Sequence, residues 1–319
     1  MHVLVDADPL VYRCGFAAEE ASYSVILEHA DSGMLQEHYA SATAADGTRI
    51  TAGDRMKAAV SKLQEEGYSV VAKTKQVIPQ GKSHALHLMK QSLQGVEQAL
   101  LPYSSELSLR PFLSGPDNYR DGIAKQRPYK GNRDAMAKPY WYHSLREYLT
   151  DNWAAYVVTG READDEIGIV ATKLRQDGIP YCIATVDKDL EQIQGLHYDY
   201  VKKVVYEIDE IFARVALWSQ ILSGDPTDNI PGCCGIGAII AKDIVTTAVS
   251  EGYSDADLWD IVVSYYRNSQ KLVPCAYKDQ DPAAVALETA QLVYIQQRPQ
   301  ELWMPPGVPF GTIGGSLDD

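Results

Sequence analysis

Ala154-Ala155-Tyr156-Val157-Val158, Thr159-Gly160, Glu162 through Gln176, Gly178-Ile179-Pro180, Tyr181-Cys182-Ile183-Ala184-Thr185: this stretch decides the fold. Two short apolar runs of strand length flank a segment in which Ile167, Val170, Ala171 and Leu174 fall on one helical face. Thr159-Gly160 turns the chain into that helix, and Gly178-Ile179-Pro180 breaks it. A strand, a helix and a second strand in this order make a β-α-β unit. Its strands run parallel, because only a long crossover can join parallel neighbours. The expected class is therefore α/β, with a mostly parallel sheet flanked by helices.

Outward from that unit, Val3-Leu4-Val5 reads as a buried strand that ends on Asp6. Residues 20–80 carry no clean period; Ser22–Leu27 and Val70–Ile78 are strand candidates, and Ala40–Gly53 reads as loop. From Ser83 to Leu101, Leu86, Met89, Leu93, Val96 and Leu100 recur at helical spacing. Leu109–Leu113 is an expected strand and Pro139–Asn152 an expected helix. His197–Tyr200 and Val204–Ile208 are expected short strands. Ile211, Val215, Trp218 and Leu222 mark another helix. A glycine-rich stretch, Gly224–Gly237, leads into a helix starting at Ala238. The Pro/Gly-rich end, Pro305–Asp319, is expected to be a mobile tail.

The chain has 319 residues, 45% hydrophobic and 23% charged, which suits a globular protein with a sizeable core. No apolar run reaches the roughly 18 to 20 residues that span a bilayer, so no membrane association is expected. Asp6 and Asp8 interrupt the apolar start that a signal peptide needs. The five cysteines, Cys14, Cys182, Cys233, Cys234 and Cys275, include no C-x-x-C pair. They read as free thiols in a reducing, cytoplasmic compartment, with no zinc site. The net charge of −14 argues against a nucleic-acid partner when taken alone. Its distribution argues otherwise: between Arg110 and Arg146 stand eight basic residues against three acids, Asp117, Asp121 and Asp134. A local charge of +5 on an acidic body needs a reason.

Acids stand at the expected strand ends. Asp6, Asp187 and Asp189 each follow a strand, and Glu162, Asp164 and Asp165 open a helix directly after one. Ligands of open parallel sheets sit at those carboxyl ends, so these acids are expected to converge. Converging carboxylates repel, and an all-oxygen cluster without His or Cys suits Mg²⁺ or Mn²⁺. Helix capping alone would also account for Glu162-Ala163-Asp164-Asp165; Asp187-Lys188-Asp189, after a separate strand, is what favours a metal. Gly81-Lys82-Ser83 lacks the first glycine of a P-loop, where Gln76 stands. His84 and His87 read as a solvated helix face. The segment Gly232-Cys233-Cys234-Gly235-Ile236-Gly237 presents backbone N–H groups ahead of a helix, a site for sequence-independent phosphate contact.

Together these segments resemble the 5′-nuclease family: the 5′-nuclease domains of bacterial DNA polymerase I, phage flap endonucleases and phage 5′–3′ exonucleases. The family's motif order is reproduced as Leu4-Val5-Asp6-Ala7-Asp8, Tyr129-Lys130-Gly131-Asn132-Arg133, Glu162-Ala163-Asp164-Asp165, Asp187-Lys188-Asp189, and Gly224-Asp225-Pro226-Thr227-Asp228-Asn229-Ile230-Pro231-Gly232 with the glycine hairpin. The Asp-x-Asp start is most similar to phage replicative exonucleases. Residues 20–105 match nothing in the family.

The resemblance implies a PIN-like core over 1–215, with a basic arch or clamp at 110–146. It implies a helix–three-turn–helix (helix-hairpin-helix) DNA-binding lobe at 216–275, a C-terminal helix within 276–304 returning to the core, and the tail 305–319. It implies two divalent ions, Mg²⁺ or Mn²⁺. Asp6, Glu162, Asp164 and Asp165 would serve one ion; Asp187, Asp189 and Asp228 would serve the other, with Asp225 close by. Lys130 and Arg133 match the basic residues near the scissile phosphate. Arg120, Arg127, Tyr129, Gly232, Gly235, Gly237 and Lys242 join them as expected DNA contacts, with K⁺ at the hairpin. One departure stands out. The family places an acid after the second strand, and here Gly115 occupies that position; either Asp117 substitutes or the first ion lacks a ligand. The implied activity is a two-metal 5′ nuclease, acting as a monomer on flapped, nicked or end-bearing duplex DNA and on RNA–DNA hybrid. The implied setting is phage replication or DNA degradation in a bacterial host cytoplasm. The competing readings are a PIN-type ribonuclease and a non-catalytic structural DNA-binding protein.

Overall fold

A computed structural model describes residues 1–40, 52–133 and 137–313. Most of the expected 40–53 loop, Asp134 and the end of the expected tail (314–319) lie outside the described residues. Along the chain run β1 (His2–Asp6), α1 (Asp8–Ala17), β2 (Glu19–His29), β3 (Leu35–Ala40), α2 (Ala52–Glu65), β4 (Tyr68–Pro79), α3 (Lys82–Leu100) and β5 (Ser108–Ser114). Then come α4 (Arg120–Ile123), α5 (Tyr142–Trp153), β6 (Tyr156–Val158), α6 (Ala163–Gln176), β7 (Tyr181–Ala184), β8 (Gly195–Asp199), β9 (Val204–Ile208) and α7 (Glu210–Ser223). The two-residue strands β10 (Gly224–Asp225) and β11 (Ile230–Pro231) precede α8 (Ala238–Ser250), α9 (Asp255–Leu272) and α10 (Pro282–Val293). A last short pair, β12 (Glu301–Leu302) and β13 (Gly311–Thr312), follows. The expected β-α-β unit is therefore β6-α6-β7. The helix expected within 276–304 occupies only Pro282–Val293. Ala52 and Gly53, read as loop, begin α2.

The chain divides into two units, one of Met1–Pro9, Leu93–Ala137 and Leu149–Asp319, the other of Leu10–Ser92 and Lys138–Tyr148. The first holds a six-stranded sheet ordered β6-β5-β1-β7-β8-β9. Every neighbouring pair is parallel except β8 and β9. β1 is central because Val3, Leu4 and Val5 are all buried, the pattern of a strand covered on both faces. Ile167 and Ala171 of α6 pack on Leu4, Phe112, Val158 and Ile183 of the sheet. The chain moves from β1 to one side through β5 and β6, then returns to the other side at β7. That reversal puts the switch point, where parallel sheets open a crevice, at the carboxyl ends beside Asp6.

The same unit carries a helical group, α7 to α10, around buried Trp218, Tyr266 and Trp303. Its entry turn is tight: a Cβ on Gly232 would lie 2.0 Å from the carbonyl carbon of Ser223, so only glycine allows this approach. Cys234 and Cys275 are bridged, with Cα atoms 5.8 Å apart, which corrects the expectation of five free thiols. No short cysteine spacing announces this bridge, because the partner of Cys234 lies 41 residues on, past α9. Cys14, Cys182 and Cys233 are free and buried.

The second unit contains the antiparallel sheet β3-β2-β4. Met56 and Leu63 of α2 cover Val25 and Leu27 of β2. β4 is an edge strand exposed along nearly its whole length. Among the described residues, no helix is long and apolar enough to cross a membrane.

Closing a loop of this length by a disulfide is worth about 4 kcal/mol in the chain-entropy picture. Cys275→Ser should therefore lower the urea midpoint, and reductant should lower that of the wild type equally. A wild-type midpoint indifferent to reductant would show that the bridge does not form.

Candidate active site

Two strand ends, those of β1 and β7, and the start of α6 deliver the acids. Asp6 closes β1 and is almost wholly buried; its Oδ2 accepts a hydrogen bond from the Thr185 hydroxyl at 2.9 Å. Thr185 follows β7, and its Oγ1 also accepts from the Asp187 N–H at 2.9 Å. Asp187 in turn caps the short 3₁₀ turn Lys188–Gln192, accepting from the Asp189 N–H at 2.9 Å. One hydroxyl thus links the end of β1 to the loop after β7. On the other side, Asp8 accepts from the Ser114 N–H at 2.8 Å, and Ser114 Oγ accepts from the Ala163 N–H at 3.0 Å. The ends of β1 and β5 and the first turn of α6 are tied by these bonds.

The electrostatics separate the acids into classes. Burial, then Asp8 and Asp187, push the Asp6 carboxyl well above its ordinary range. Burial, then Asp6, Asp187 and Glu162, do the same to Asp164. Asp189 rises to about 8 through burial and the charges of Asp187, Asp225 and Asp228. Asp187 is also raised, by burial first and then by Asp228 and Asp225. Glu162 is different: burial opposes its charge, but Lys130 and Arg120 outweigh it and hold the carboxyl below its usual range.

Lys130 bonds directly to Glu162, and its Nζ stands 3.5 Å from Asp228. Arg133 bonds to Asp228. The Tyr129 hydroxyl lies 2.7 Å from Glu162 Oε2 and 3.0 Å from Asp228 Oδ2. Backbone and amide bonds join the two segments: Lys130 N–H to the Asp228 carbonyl, Asn132 to the Pro226 carbonyl, and Asn229 to the Pro128 carbonyl. Asp225 is buried and accepts from the Thr227 N–H at 2.7 Å, with Lys188 3.8 Å away. The expected basic residues and the expected acids therefore meet.

Several expectations need correcting. Arg120, expected on DNA, is 1% exposed. Its guanidinium grips Asp165 bidentately at 2.6 and 2.9 Å and donates to the carbonyls of Leu292 and Tyr294, with the rings of Tyr119 and Tyr129 over its planes. Asp165, expected at a metal, is fully buried and also accepts from the N–H groups of Glu162 and Gln296. Its oxygens are committed to structure, and with Glu162 it forms a capping box at the start of α6, so the capping reading holds for Glu162 and Asp165. Tyr129 faces the acids rather than a partner. Asp117 is exposed, and it is not among the charges acting most strongly on Asp6, Asp164 or Asp187. Position 115 is closed to an acid as well, because a Cβ there would meet the Val158 carbonyl oxygen at 2.2 Å. Gly232 serves the close turn, and its carbonyl accepts from Tyr277. Gly235 has the positive φ of +80° expected of a hairpin glycine, but Gly237 has φ −88° and open space around it as the residue before α8. Arg127 is exposed, and Lys242 sits over the Phe212 ring.

Thr185, Ser114, Tyr200, Gln192 and Gln220 were not singled out from the sequence, because a lone hydroxyl or amide on an amphipathic element carries no pattern. Tyr200 donates to the Asp6 carbonyl at 3.2 Å. Among the described residues, no three His, Cys, Asp or Glu side chains close on one point as a finished metal shell. The donor chemistry nonetheless fits a hard divalent cation. Asp6, Asp164, Asp187 and Asp189 are oxygen donors raised by burial and by the charges of neighbouring acids.

No family model matches the chain. Over 198 residues it is 27% identical to a 5′-3′ exonuclease of Buchnera aphidicola subsp. Schizaphis graminum, covering 58% of this chain and 64% of that protein. Over 177 residues it is 32% identical to DNA polymerase I of Pseudomonas aeruginosa, covering 49% of this chain and 18% of the polymerase. Over these spans the chain is similar to proteins named 5′-3′ exonuclease and to DNA polymerase I. It spans less than two thirds of either protein's length. The zinc-bound T5 5′-exonuclease structure superposes with a TM-score of 0.47 at 18% identity, over 64% of this chain and 80% of that one.

A carboxyl whose folded pKa lies above its unfolded value binds more protons in the native state, so stability falls as pH rises between the two values. For Asp189 that window runs from its ordinary 3.8 to about 8, and Asp6 and Asp164 shift in the same direction. Thermal melts without divalent ions should therefore show a midpoint that falls from about pH 5 to pH 8. Added Mg²⁺ should raise the midpoint more at pH 8 than at pH 5.5. A midpoint rising over that range would contradict the clustering of these acids.

Proposed function

We propose that this chain is a divalent-metal-dependent 5′ nuclease, hydrolysing phosphodiester bonds at or near the 5′ ends of flapped, nicked or duplex DNA and of RNA–DNA hybrid. The observation that carries the reading is the convergence of Asp6, Asp164 and Asp187, from three separate segments, at the switch point of the sheet. Buried carboxylates in mutual repulsion are relieved by protonation, by directed donors or by a bound cation, and such clusters concentrate at functional sites. The relatives named 5′-3′ exonuclease and DNA polymerase I supply the reaction class. In this reading Asp6, Glu162 and Asp164 would hold one Mg²⁺ or Mn²⁺, and Asp187, Asp189 and Asp228 the second, with Asp225 beside it. Such ions supply an activated water and neutralise charge on the leaving oxygen.

The chain's own residues perform the rest. Lys130 and Arg133 have side chains 27% and 39% exposed, enough to turn from Glu162 and Asp228 toward an incoming phosphate. Residues 216–275 would grip duplex backbone without reading bases, through the N–H groups at Gly235 and Gly237 and the ammonium of Lys242. A K⁺ at that hairpin belongs to the same reading.

Asp164→Ala and Asp187→Ala should each lower the single-turnover rate on a 5′-flap substrate in Mg²⁺ by at least about a thousandfold, while affinity for the same DNA in Ca²⁺ holds or tightens. Near-wild-type cutting by either variant would put the active site elsewhere.

Gly237→Val tests the docking role separately. Its ordinary φ and the open space around it let a side chain enter without strain, so the variant should fold normally and obstruct only what approaches the start of α8. Affinity for long duplex in Ca²⁺ should fall about tenfold, whatever the sequence, while cleavage of a substrate too short to reach the hairpin is spared. Normal duplex affinity in a folded variant would remove the hairpin from the DNA interface.

A further inference from the structure

A chain of amide bonds leads from the acid cluster to the segment after α10. Gln220, on α7, donates through Nε2 to Asp189 Oδ1 at 2.6 Å. Its Oε1 accepts from Gln192 Nε2 at 2.7 Å. Gln192 is 4% exposed; its Nε2 also donates to the Val293 carbonyl at 2.8 Å, and its Oε1 accepts from the Ile295 N–H at 3.1 Å.

The direction of this chain is fixed by its backbone end. The Ile295 N–H can only donate and the Val293 carbonyl can only accept, so the Gln192 amide has one allowed orientation. That orientation aims an N–H at Gln220, which must answer with its oxygen and so turn its own N–H groups toward Asp189. Packing does not impose this alone, because Gln220 also borders a cavity of about 150 Å³ lined by Lys188, Phe212, Ser219 and Lys242. The bonds, rather than steric contact, set its rotamer.

We infer that Gln220, oriented by Gln192, is a positioning residue that holds Oδ1 of Asp189 and so fixes the carboxylate that would serve the second cation. This rests on the nuclease reading above. Neutral amides suit the task, since a lysine or arginine bonded there would compete with the cation for the carboxylate. The relay also makes the geometry of Asp189 depend on the backbone at Val293 and Ile295, in the segment whose carbonyls at Leu292 and Tyr294 hold Arg120. Asp189 of the acid cluster and the buried Arg120–Asp165 pair therefore refer to one stretch of backbone.

The test is Mn²⁺ binding to the full chain, followed by electron paramagnetic resonance, together with the Mg²⁺ dependence of single-turnover cleavage. Gln220→Met keeps length and volume but removes both amide functions. It should weaken one of two Mn²⁺ sites about tenfold or more, the size of effect common for groups that orient metal ligands, and leave the other site unchanged. The Mg²⁺ concentration for half-maximal rate should rise, while the rate at saturating Mg²⁺ approaches wild type. Gln220→His returns an N–H donor and should recover part of the lost affinity. Gln192→Met, which frees the Gln220 amide to flip, should give a smaller loss that does not add to that of Gln220→Met. Wild-type Mn²⁺ binding by Gln220→Met overturns the inference while leaving the nuclease reading intact. So does a Gln220→His variant no better than Gln220→Met when both melt like wild type. A wild-type chain that binds no Mn²⁺ and cuts no DNA sinks both.

Discussion

Mutual repulsion among buried carboxylates at one edge of the parallel sheet is the constraint on which the rest of this molecule depends. Two unit charges 4 Å apart repel by about 4 kcal/mol at an effective dielectric near 20, and Asp6, Asp164, Asp187 and Asp189 each feel more than one neighbour. A domain is stable by only about 5 to 15 kcal/mol, so the fold must offset this at every acid it brings in. It does so with directed donors. Thr185 serves Asp6, the Asp189 N–H serves Asp187, and Gln220 serves Asp189. The first two arise from the segment after β7, which the β-α-β topology sets beside β1, and the third comes from α7 of the helical group.

The features that place the sheet were legible because they are local. Short apolar runs, with Gly and Pro between them and acids at their ends, mark β1, β6 and β7 and the first turn of α6 in the sequence itself. The region 20–80 was harder for a physical reason. β4 is exposed on both faces, so Tyr68–Pro79 carries no two-residue hydrophobic alternation to announce its pairing with β2. β3 is equally lacking in buried residues among those described. The antiparallel sheet of this unit is set by its pairing and by Met56 and Leu63 of α2, which a scan for buried strands does not weigh.

The candidate site was legible in membership and less so in role. Charge is visible in a sequence but burial is not, so Arg120 counted as one more cation of a basic segment. In three dimensions it is the counter-ion of Asp165, sealed between two tyrosines and two carbonyls. Likewise Asp164 and Asp165 are adjacent letters with one expected role. The helix turns their side chains about 100° apart, so one faces the acids of the sheet edge and the other faces Arg120. Glycines are ambiguous in the same way: Gly232 is required by backbone approach, Gly235 by its positive φ, and Gly237 by neither within the chain itself.

The cations divide as the acids do, and the division bears on how one site can be both stable and open to a substrate. Arg120 cannot leave Asp165 without stranding a buried charge on each side, a loss of about 3 to 5 kcal/mol for such a pair. It is permanent structure. Lys130 and Arg133 sit over Glu162 and Asp228 with 27% and 39% of their side chains exposed, so each cation can be reached from solvent while its carboxylate partner stays largely covered. Their backbone is held independently, by the Lys130 N–H on the Asp228 carbonyl and by Asn132 and Asn229 across the same gap. A side chain can therefore swing away while its anchoring segment stays. Fixed pairing at Asp165 and exchangeable pairing at Glu162 and Asp228 keep the acidic edge folded in the absence of a ligand. On the nuclease reading proposed above, the two less buried cations and the carboxylates beneath them are the groups that an arriving cation and phosphate would share.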